Sequence, residues 1–329
     1  MDGNAALASE FELPFSDRTP TEREYVCGGL CHHPTETALP ATSILHAEGR
    51  TRIFFSVTPH EACGVRGQSS VTGAKIASPS FQIVGGEDAE PQEFPWQISL
   101  QYMVPPGNNF RHGCGGSIIN KQYVLTAAHC VDRVAPNSRL VIVGEYNLNQ
   151  TDPLERKIAV SSITIHPKYK TGGVMYDYAL LKLETPLDFS GADKGLMPIC
   201  LPTKNQVFAN QTCTASGWGF TKPSKRGAFP QILQKVDLHI VSLEECRKAY
   251  GYYTVREDCM ICASFKEGKK STCYGDSGGP LQCATTDGLY VLAGATSFSQ
   301  SCDEPNFPNV FARISTQLEW IESIAGATP

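Results

Sequence analysis

Three widely spaced side chains could together carry out nucleophilic catalysis. His129 lies in a Leu-Thr-Ala-Ala-His-Cys segment, Asp177 in a Tyr-Asp-Tyr-Ala-Leu-Leu segment and Ser277 in a Gly-Asp-Ser-Gly-Gly-Pro segment. A serine hydroxyl is a weak nucleophile at neutral pH, so it needs a base that takes its proton and an acceptor that holds the tautomer of that base. Taken singly, these residues are typical of a packed histidine, a turn and a tight glycine corner. Taken together, they favour a nucleophilic triad.

The elements that must position these side chains are predominantly β-strands. From residue 83 onward, short β-rich runs alternate with clusters of Gly, Pro and Asn, a pattern typical of a sandwich or barrel. The predicted strands are Tyr123–Ala127, Leu140–Val143, Ile158–Ile165, Tyr178–Leu183, Val236–Val241, Tyr290–Ala293 and Val310–Ile314. His129 therefore follows one predicted strand, and Asp177 precedes another.

Two short helices are predicted from capping signals at their N-termini. Ser242 and Glu245 form a capping box at the start of the first helix. Thr316 and Glu319 form one at the start of the second, which extends to about Ala325. The second helix is expected to pack as an amphipathic C-terminal element, because its apolar residues share one face. These residues are Leu318, Ile321 and Ile324.

The overall composition argues against several classes of protein. The 329 residues include 28 Lys and Arg against 33 Asp and Glu, a net charge of −5, whereas nucleic-acid binding needs a basic surface. The chain contains no run of about 18 apolar residues, so no membrane span is predicted. Apolar residues make up 41% of the chain, which argues against disorder along its whole length.

The 13 cysteines predict a disulfide framework and a secreted, extracellular protein. Their number is odd, so at least one thiol is left over or pairs between chains. The first residues lack the basic start, apolar stretch and small-residue cleavage site of a signal peptide, and a missing upstream segment is the favoured explanation. Two glycosylation sequons, at Asn149 and Asn210, agree with secretion.

Residues 1–62 differ in composition from the rest and are predicted to form an N-terminal extension of unknown fold. They are rich in Thr, Pro, Glu and His and contain only short apolar runs. Cys27 and Cys31 precede His32 and His33. A zinc site needs two well-separated ligand pairs, so a local disulfide or a plain loop is favoured over a metal site here.

From Ile83 to about Ala325, the chain resembles the trypsin/chymotrypsin family of serine endopeptidases. Besides the three segments above, the resemblance rests on Ile83-Val84-Gly85-Gly86, Pro95-Trp96-Gln97, Cys114-Gly115-Gly116-Ser117 and Ser216-Gly217-Trp218-Gly219. It implies an all-β fold of two six-stranded Greek-key barrels, with the active site between them and a C-terminal helix. By this likeness, His129 is the general base and later the acid, Asp177 orients its imidazolium, and Ser277 attacks the scissile carbonyl.

The resemblance also implies how the main chain contacts the substrate. The backbone N–H groups of Gly275 and Ser277 are the expected oxyanion hole. The segment Ser297-Phe298-Ser299 is expected to pair with the substrate backbone as an added strand.

Substrate preference is expected to depend on three residues of the primary pocket. Ser271, six residues before Ser277, is expected at the base of the pocket, with Ser299 and Asn309 on its walls. Because the base has no acidic residue, we expect cleavage after a non-basic residue with a medium to large apolar side chain. A preference for a polar residue, contacted by Ser271 and Asn309, is the alternative.

The resemblance implies five disulfides. The implied pairs are Cys63–Cys200, Cys114–Cys130, Cys213–Cys283, Cys246–Cys262 and Cys273–Cys302. Among the remaining cysteines, a Cys27–Cys31 pair with Cys259 free is favoured, and a reshuffled or intermolecular bond is the alternative.

A zymogen is implied as well. Residues 63–82 are the expected pro-segment, tethered by the bond between Cys63 and Cys200, and residues 83–329 are the expected peptidase domain. Cleavage before Ile83 would free an α-amine that pairs with the carboxylate of Asp276, because an unpaired buried charge is costly. Gln82 departs from the usual Arg or Lys, so we expect an activating protease of another specificity, or trimming after a first cut.

An acidic loop aligns without gaps with the calcium loop of many trypsins. Its expected ligands are the carboxylates of Glu145, Asp152 and Glu155 and the carbonyls of Asn147 and Gln150. A solvated acidic hairpin is the equally supported alternative. A bound ion would stabilise the loop, and no cofactor is expected to be required for catalysis.

Two functions are compatible with the sequence. The favoured one is a secreted serine endopeptidase made as a zymogen, which acts on protein or peptide substrates, is activated by another protease and is controlled by macromolecular inhibitors. The alternative is a non-catalytic protease homologue that binds or regulates partners. The complete set His129, Asp177 and Ser277 favours the enzyme, and Gln82 favours the alternative.

Overall fold

The computed structural model of this chain describes residues 24–26, 41–47, 50–55, 62–67, 86–106, 109–220, 229–251, 254–265, 271–302, 304 and 306–326. The chain divides into two compact units, Met1–Glu61 and Ala62–Pro329. In the first unit, strands β1 (Glu24–Val26), β2 (Ala41–Ala47) and β3 (Arg50–Phe55) form an antiparallel sheet in the order β1-β3-β2.

The second unit is built mainly of strands, as predicted. Its strands are β4 (Glu87–Asp88), β5 (Gln97–Val104), β6 (Asn109–Ile118), β7 (Tyr123–Thr126), β8 (Arg139–Val143), β9 (Arg156–Ile165), β10 (Ala179–Leu183), β11 (Thr212–Gly217), β12 (Gln234–Ile240), β13 (Met260–Ser264), β14 (Pro280–Ala284), β15 (Tyr290–Phe298) and β16 (Asn309–Arg313). Each of the seven strands predicted from the sequence corresponds to one of these, with ends that differ by a few residues.

Strands β5 to β10 close into one barrel, in the order β10-β7-β6-β5-β8-β9. Three consecutive strands, β5, β6 and β7, lie side by side, and β8 returns to pair with β5, which is the Greek-key arrangement. The barrel encloses apolar side chains that have no exposed surface, among them Ile98, Leu125, Val141 and Leu181.

Strands β11 to β16 close into a second barrel through the antiparallel pairing of β11 with β12. Here β11, β12 and β13 are consecutive neighbours and β14 returns to β11, a second Greek key. The short strand β4 adds to β12. The predicted fold of two closed six-stranded antiparallel barrels is therefore confirmed.

The first helix, α1 (Leu243–Tyr250), begins where its capping signal predicts. Ser242 is the N-cap, and its hydroxyl oxygen accepts a hydrogen bond from the backbone nitrogen of Glu245 at 3.1 Å. Gly251, at φ 91°, ends the helix.

The second helix, α2 (Leu318–Ala325), corrects one prediction: Thr316 and Glu319 do not form a capping box. The N-cap is Gln317, which makes no side-chain cap. The chain first turns after β16, and within that turn the Thr316 hydroxyl donates to the carbonyl of Arg313 at 3.3 Å, so it is not available to the helix. Both helices have eight residues, and neither is long and apolar enough to cross a bilayer.

Five disulfides stabilise the second unit. The structure pairs Cys63 with Cys200, Cys114 with Cys130, Cys213 with Cys283, Cys246 with Cys262 and Cys273 with Cys302, the same pairs that the resemblance implies. Cys259 carries a free, buried thiol. The predictions for Cys27 and Cys31 lie outside the described residues.

Candidate active site

A direct contact joins His129 and Asp177. His129 lies in a short 3-10 helix after β7, Asp177 lies just before β10, and these two strands are paired in the first barrel, with Ala179 opposite Thr126. His129 Nδ1 is 2.7 Å from Asp177 Oδ2, and the His129 backbone N–H donates to Asp177 Oδ1 at 2.9 Å. The pairing of the two strands thus brings the imidazole of His129 to the carboxylate of Asp177.

The protonation behaviour of His129 is controlled by Asp177. Burial lowers the pKa of the imidazole, but the hydrogen bond and the charge of Asp177 outweigh burial and raise this pKa above its ordinary value. Asp177 is 2% exposed and also accepts a hydrogen bond from the hydroxyl of Ser297 at 2.6 Å. Its carboxylate is therefore satisfied by three donors and held in one orientation.

Ser277 lies in a glycine-rich turn of the second barrel, against the first barrel. Its carbonyl accepts a hydrogen bond from Gly115 of β6 at 2.8 Å. Gly278 has φ 77°, and a Cβ atom there would lie 2.1 Å from Thr126 Oγ1, so this position needs glycine. The turn and β7 thus pack too closely for any side chain between them.

His129 and Ser277 line one cavity of about 660 Å³. Among the described residues, the Ser277 hydroxyl makes no hydrogen bond, so His129 and Ser277 line the same cavity without a hydrogen bond between Nε2 and Oγ. Catalytic hydrogen bonds of this kind are often long without substrate and shorten when it binds.

The expected oxyanion donors have a defined backbone. Gly275 has φ 102°, which favours glycine. Within the described chain, no group accepts a hydrogen bond from the N–H of Gly275 or of Ser277. Two unengaged N–H groups beside a nucleophile are what an oxyanion hole requires.

His112 is a residue of the site that sequence reasoning missed. Its Nε2 lies 3.0 Å from the carbonyl of Gly275, and its Nδ1 lies 2.9 Å from Ser99 Oγ. Burial lowers the pKa of His112 to about 4, so the ring is neutral at pH 7. A carbonyl only accepts, so Nε2 carries the proton, and the ring holds the peptide between Gly275 and Asp276, which follows the N–H of Gly275 in the chain. Its sequence signal is weak, a single histidine two residues before Cys114.

Asp276, the expected partner of the activation amine, is 1% exposed. Its carboxylate accepts hydrogen bonds from the backbone N–H groups of Gly219 at 2.7 Å and Cys273 at 2.8 Å. Burial outweighs these bonds and raises the pKa of Asp276 to about 7. The other two activation residues, Gln82 and Ile83, lie outside the described residues.

Ser271 and Asn309 form a hydrogen bond with each other next to the cavity, one layer behind the residues that line it. They are 3% and 4% exposed, and Asn309 Nδ2 donates to Ser271 Oγ at 3.1 Å. Asn309 Oδ1 accepts hydrogen bonds from the nitrogen and hydroxyl of Thr272, at 2.7 and 2.9 Å. Thr272 lines the cavity, as do the predicted residues Ser297, Phe298 and Ser299, whereas Ser271 and Asn309 are not among the residues that line it.

The acidic loop is closed by its own carboxylates. Asp152 accepts hydrogen bonds from the backbone N–H groups of Tyr146 at 2.6 Å and Asn147 at 2.8 Å, and Asp152 N donates to Glu155 at 3.2 Å. Glu145 is 8% exposed, and its Oε2 has no partner among the described residues. Burial, and then the charges of Glu155 and Asp152, raise the pKa of Glu145 to about 7.

The remaining predicted loop residues have other positions. The Asn147 carbonyl accepts a hydrogen bond from the backbone nitrogen of Gln150 at 3.0 Å, and Gln150 is exposed. The sequon asparagines, Asn149 and Asn210, are both exposed.

Two closed antiparallel barrels, with a bonded His–Asp pair from one and a serine turn from the other facing one cavity, define the class of chymotrypsin-like serine proteases. The chain belongs to the trypsin family: the family model described as Trypsin matches residues 83–321.

Two relatives illustrate the range of similar proteins. "Serine proteinase stubble" of Drosophila melanogaster is 38% identical over 253 residues, which cover 75% of this chain and 31% of the Drosophila protein. "Chymotrypsin-like elastase family member 1" of Canis lupus familiaris is 37% identical over 255 residues, which cover 76% of this chain and 94% of the canine protein. The chain therefore matches about a third of the first relative and almost all of the second.

Proposed function

We propose that this chain is a serine endopeptidase that hydrolyses peptide bonds through an acyl-enzyme on Ser277. The observation that carries the proposal is the 2.7 Å contact between His129 and the buried Asp177, at a cavity that Ser277 also lines. Membership of a serine protease family supports it independently.

The groups of the site have complementary tasks in this reaction. His129 Nε2 takes the proton of the Ser277 hydroxyl as its oxygen attacks the carbonyl carbon, and then gives this proton to the leaving amine. Asp177 stabilises the imidazolium that forms. The N–H groups of Gly275 and Ser277 bind the oxyanion, and such a donor typically contributes about 3–4 kcal/mol of transition-state stabilisation. Water then attacks the acyl-enzyme by the same route.

The protein is proposed to be a secreted zymogen. The bond between Cys63 and Cys200 spans the expected cleavage before Ile83, so the two chains would stay joined after the cut. Within the described chain no cation pairs with the buried Asp276, which leaves its carboxylate for a new α-amine. Five disulfides support an oxidising, extracellular environment. The activating protease and macromolecular inhibitors are the partners proposed besides protein substrates.

Cleavage is proposed to follow a non-basic, apolar residue. Ser271, Thr272 and Asn309 are uncharged, and their polar groups bond one another, so this end of the cavity presents no anion to a basic side chain. Because Ser271 and Asn309 lie behind Thr272, the geometry favours side chains of medium size over the largest ones. One pocket contact of this kind changes preference by about 1–3 kcal/mol.

A structural calcium ion is proposed for the acidic loop. The buried Glu145 Oε2 has no hydrogen-bond partner in the described chain, and Asp152 and Glu155 are close enough to raise the pKa of Glu145. Carboxylate and carbonyl oxygens are the ligands that calcium prefers, but the oxygens of Glu145, Asp152 and Glu155 do not all lie within 4.8 Å of one another, so a bound ion would have to draw them together. The ion would neutralise the carboxylates and stabilise the loop, with Asn147 and Gln150 offering carbonyls. Glycans are proposed on Asn149 and Asn210.

The second candidate function is a non-catalytic homologue that binds partners. Gln82 favours it, because this residue replaces the Arg or Lys at which relatives are usually cut. A chain that is never cut would not become an active protease. The unbonded state of Ser277 Oγ is compatible with both functions.

One experiment separates the two functions. Purified full-length protein is treated with a panel of proteases, the new N-termini are sequenced, and labelling by a fluorophosphonate probe is measured beside Ser277→Ala. Labelling that requires an Ile83 N-terminus and disappears in Ser277→Ala is the expected result. Chains that begin at Ile83 and stay unlabelled would favour the binding function.

A further inference from the structure

Asp177 lies between two tyrosines whose hydroxyls reach the second barrel. Tyr176 donates to Asp258 Oδ2 at 2.6 Å, and Tyr178 donates to the carbonyl of Cys259 at 2.8 Å. Asp258 and Cys259 immediately precede β13. The residues on both sides of Asp177 are therefore tied across the two barrels to one short segment.

The backbone before Asp177 is strained. Tyr176 has φ 52°, a left-handed conformation that is unfavourable for a bulky side chain. The nitrogen of Tyr178 donates to the carbonyl of Tyr176 at 2.8 Å, which closes a three-residue turn with Asp177 at its centre. Such strain persists only where the surroundings fix the residue, and it is concentrated at functional sites.

Contacts on the ring and on the hydroxyl fix Tyr176. Its ring stacks on His166 with a centroid distance of 5.1 Å and an interplanar angle of 8°, and the Lys168 ammonium lies 4.9 Å from the ring centroid. The acceptor is fixed as well, because Arg256 donates to both carboxylate oxygens of Asp258, at 3.0 and 2.7 Å.

We infer that Tyr176 is a positioning residue for Asp177, and that the bond from its hydroxyl to Asp258 holds the strained turn which directs the carboxylate at His129. The inference rests on the proposed function, since it explains how a carboxylate of the first barrel is aligned with a serine of the second. Tyr178 has a different role, because it has no exposed surface and its loss would leave a cavity.

The test compares activated wild type with Tyr176→Phe, Asp258→Ala, Asp258→Asn and the double variant Tyr176→Phe/Asp258→Ala. Tyr146→Phe is the matched control, because it removes a tyrosine hydroxyl that bonds the carbonyl of Ala89 at 3.0 Å, away from the triad. Hydrolysis of a peptide amide gives kcat and KM. The low-field NMR resonance of the His129 Nδ1 proton reports its bond to Asp177 and needs no turnover.

We expect Tyr176→Phe to lower kcat about tenfold with KM unchanged, because small displacements of a catalytic group are costly. Asp258→Ala should do the same, the double variant should lose no more, and Asp258→Asn should keep most of the activity through its amide oxygen. The Nδ1 resonance should weaken or shift in Tyr176→Phe and stay unchanged in Tyr146→Phe.

An unchanged kcat and an unchanged Nδ1 resonance in Tyr176→Phe would overturn the inference, and so would additive losses in the double variant. If activated wild type hydrolyses nothing, the proposed function fails, and the NMR comparison still decides whether Tyr176 positions Asp177.

Discussion

The amide oxygen of Asn309 lies 2.7 Å from the backbone nitrogen of Thr272 and accepts its hydrogen bond. This contact, together with the hydrogen bond to Ser271, places a buried amide behind the residues that line the cavity, whereas the family resemblance implies that Asn309 lies on the pocket wall. Asn309 therefore occupies the space behind this wall with an uncharged group, and the proposed limit on the size of the substrate side chain rests on this position.

Asn309→Gly should shift substrate preference toward large aromatic side chains. Removal of the amide leaves space behind Thr272, and we expect the ratio of kcat/KM for a Phe substrate over a Val substrate to rise about tenfold. The measurement uses two peptides that differ in this one residue. Ser301→Gly, at the cavity rim, is the control and should leave the ratio unchanged; an unchanged ratio in Asn309→Gly would show that the amide does not limit the pocket.

The buried Asp276 should make the uncut chain less stable as pH rises from about 4 to 7. Its pKa is raised from 3.8 to about 7, so in this window the folded chain holds a proton that the unfolded chain has released. The stability that this proton contributes is fully present below pH 3.8, the pKa of Asp276 in the unfolded chain. It is lost as pH rises through about 7, the pKa of Asp276 in the folded chain. His112 acts oppositely, since its pKa is lowered from 6.5 to about 4.

Asp276→Asn isolates the aspartate contribution. As pH rises from 4 to 8, we expect the free energy of unfolding of the variant to increase by about 2–4 kcal/mol relative to that of wild type. Urea unfolding of both uncut proteins measures this difference. After cleavage before Ile83 it should stay unlabelled by fluorophosphonate, because the new amine has no carboxylate. A difference in unfolding free energy that does not vary with pH would contradict the buried, protonated state of Asp276.

Activity should be lost as pH falls through the pKa of His129, because the base must be neutral to accept a proton. Asp177 raises this pKa, so the midpoint of the acid limb of kcat/KM should lie above 6.5. Asp177→Asn should lower kcat about 10⁴-fold and move the midpoint down. His239 is an exposed histidine in β12, and the control variant His239→Gln should leave the midpoint unchanged. If His239→Gln shifts the midpoint, the loss of activity at low pH is not due to His129 alone.

Calcium should stabilise the fold through the acidic loop. At a hundredfold excess over Kd we expect about 2.7 kcal/mol of added unfolding free energy, reversed by EDTA and absent in Glu145→Gln. Because the pKa of Glu145 is about 7, the gain should shrink below pH 7, where the ion competes with a proton. Glu184→Gln, an exposed acid outside the loop, is the control; a calcium gain that survives Glu145→Gln would place the ion elsewhere.

Local patterns predicted the strands and one helix start because these depend on neighbours in sequence. Ser242 caps α1 as expected, since its partner is three residues away. The same signal at Thr316 was wrong, because the chain first has to turn after β16, and that turn uses the hydroxyl. A capping motif alone therefore does not show whether its hydroxyl is already used in the turn after the preceding strand.

The sequence by itself determined the residue types of the candidate triad, their order along the chain and the family to which the chain belongs. Only the tertiary structure decided the contacts, because they join residues far apart in sequence. The pairing of β7 with β10 brings His129 to Asp177, the fold of β6 carries His112 to Gly275, and barrel packing sets Tyr176 against Asp258. Burial, which raises the pKa of Asp276 and lowers that of His112, likewise arises only when the barrels close.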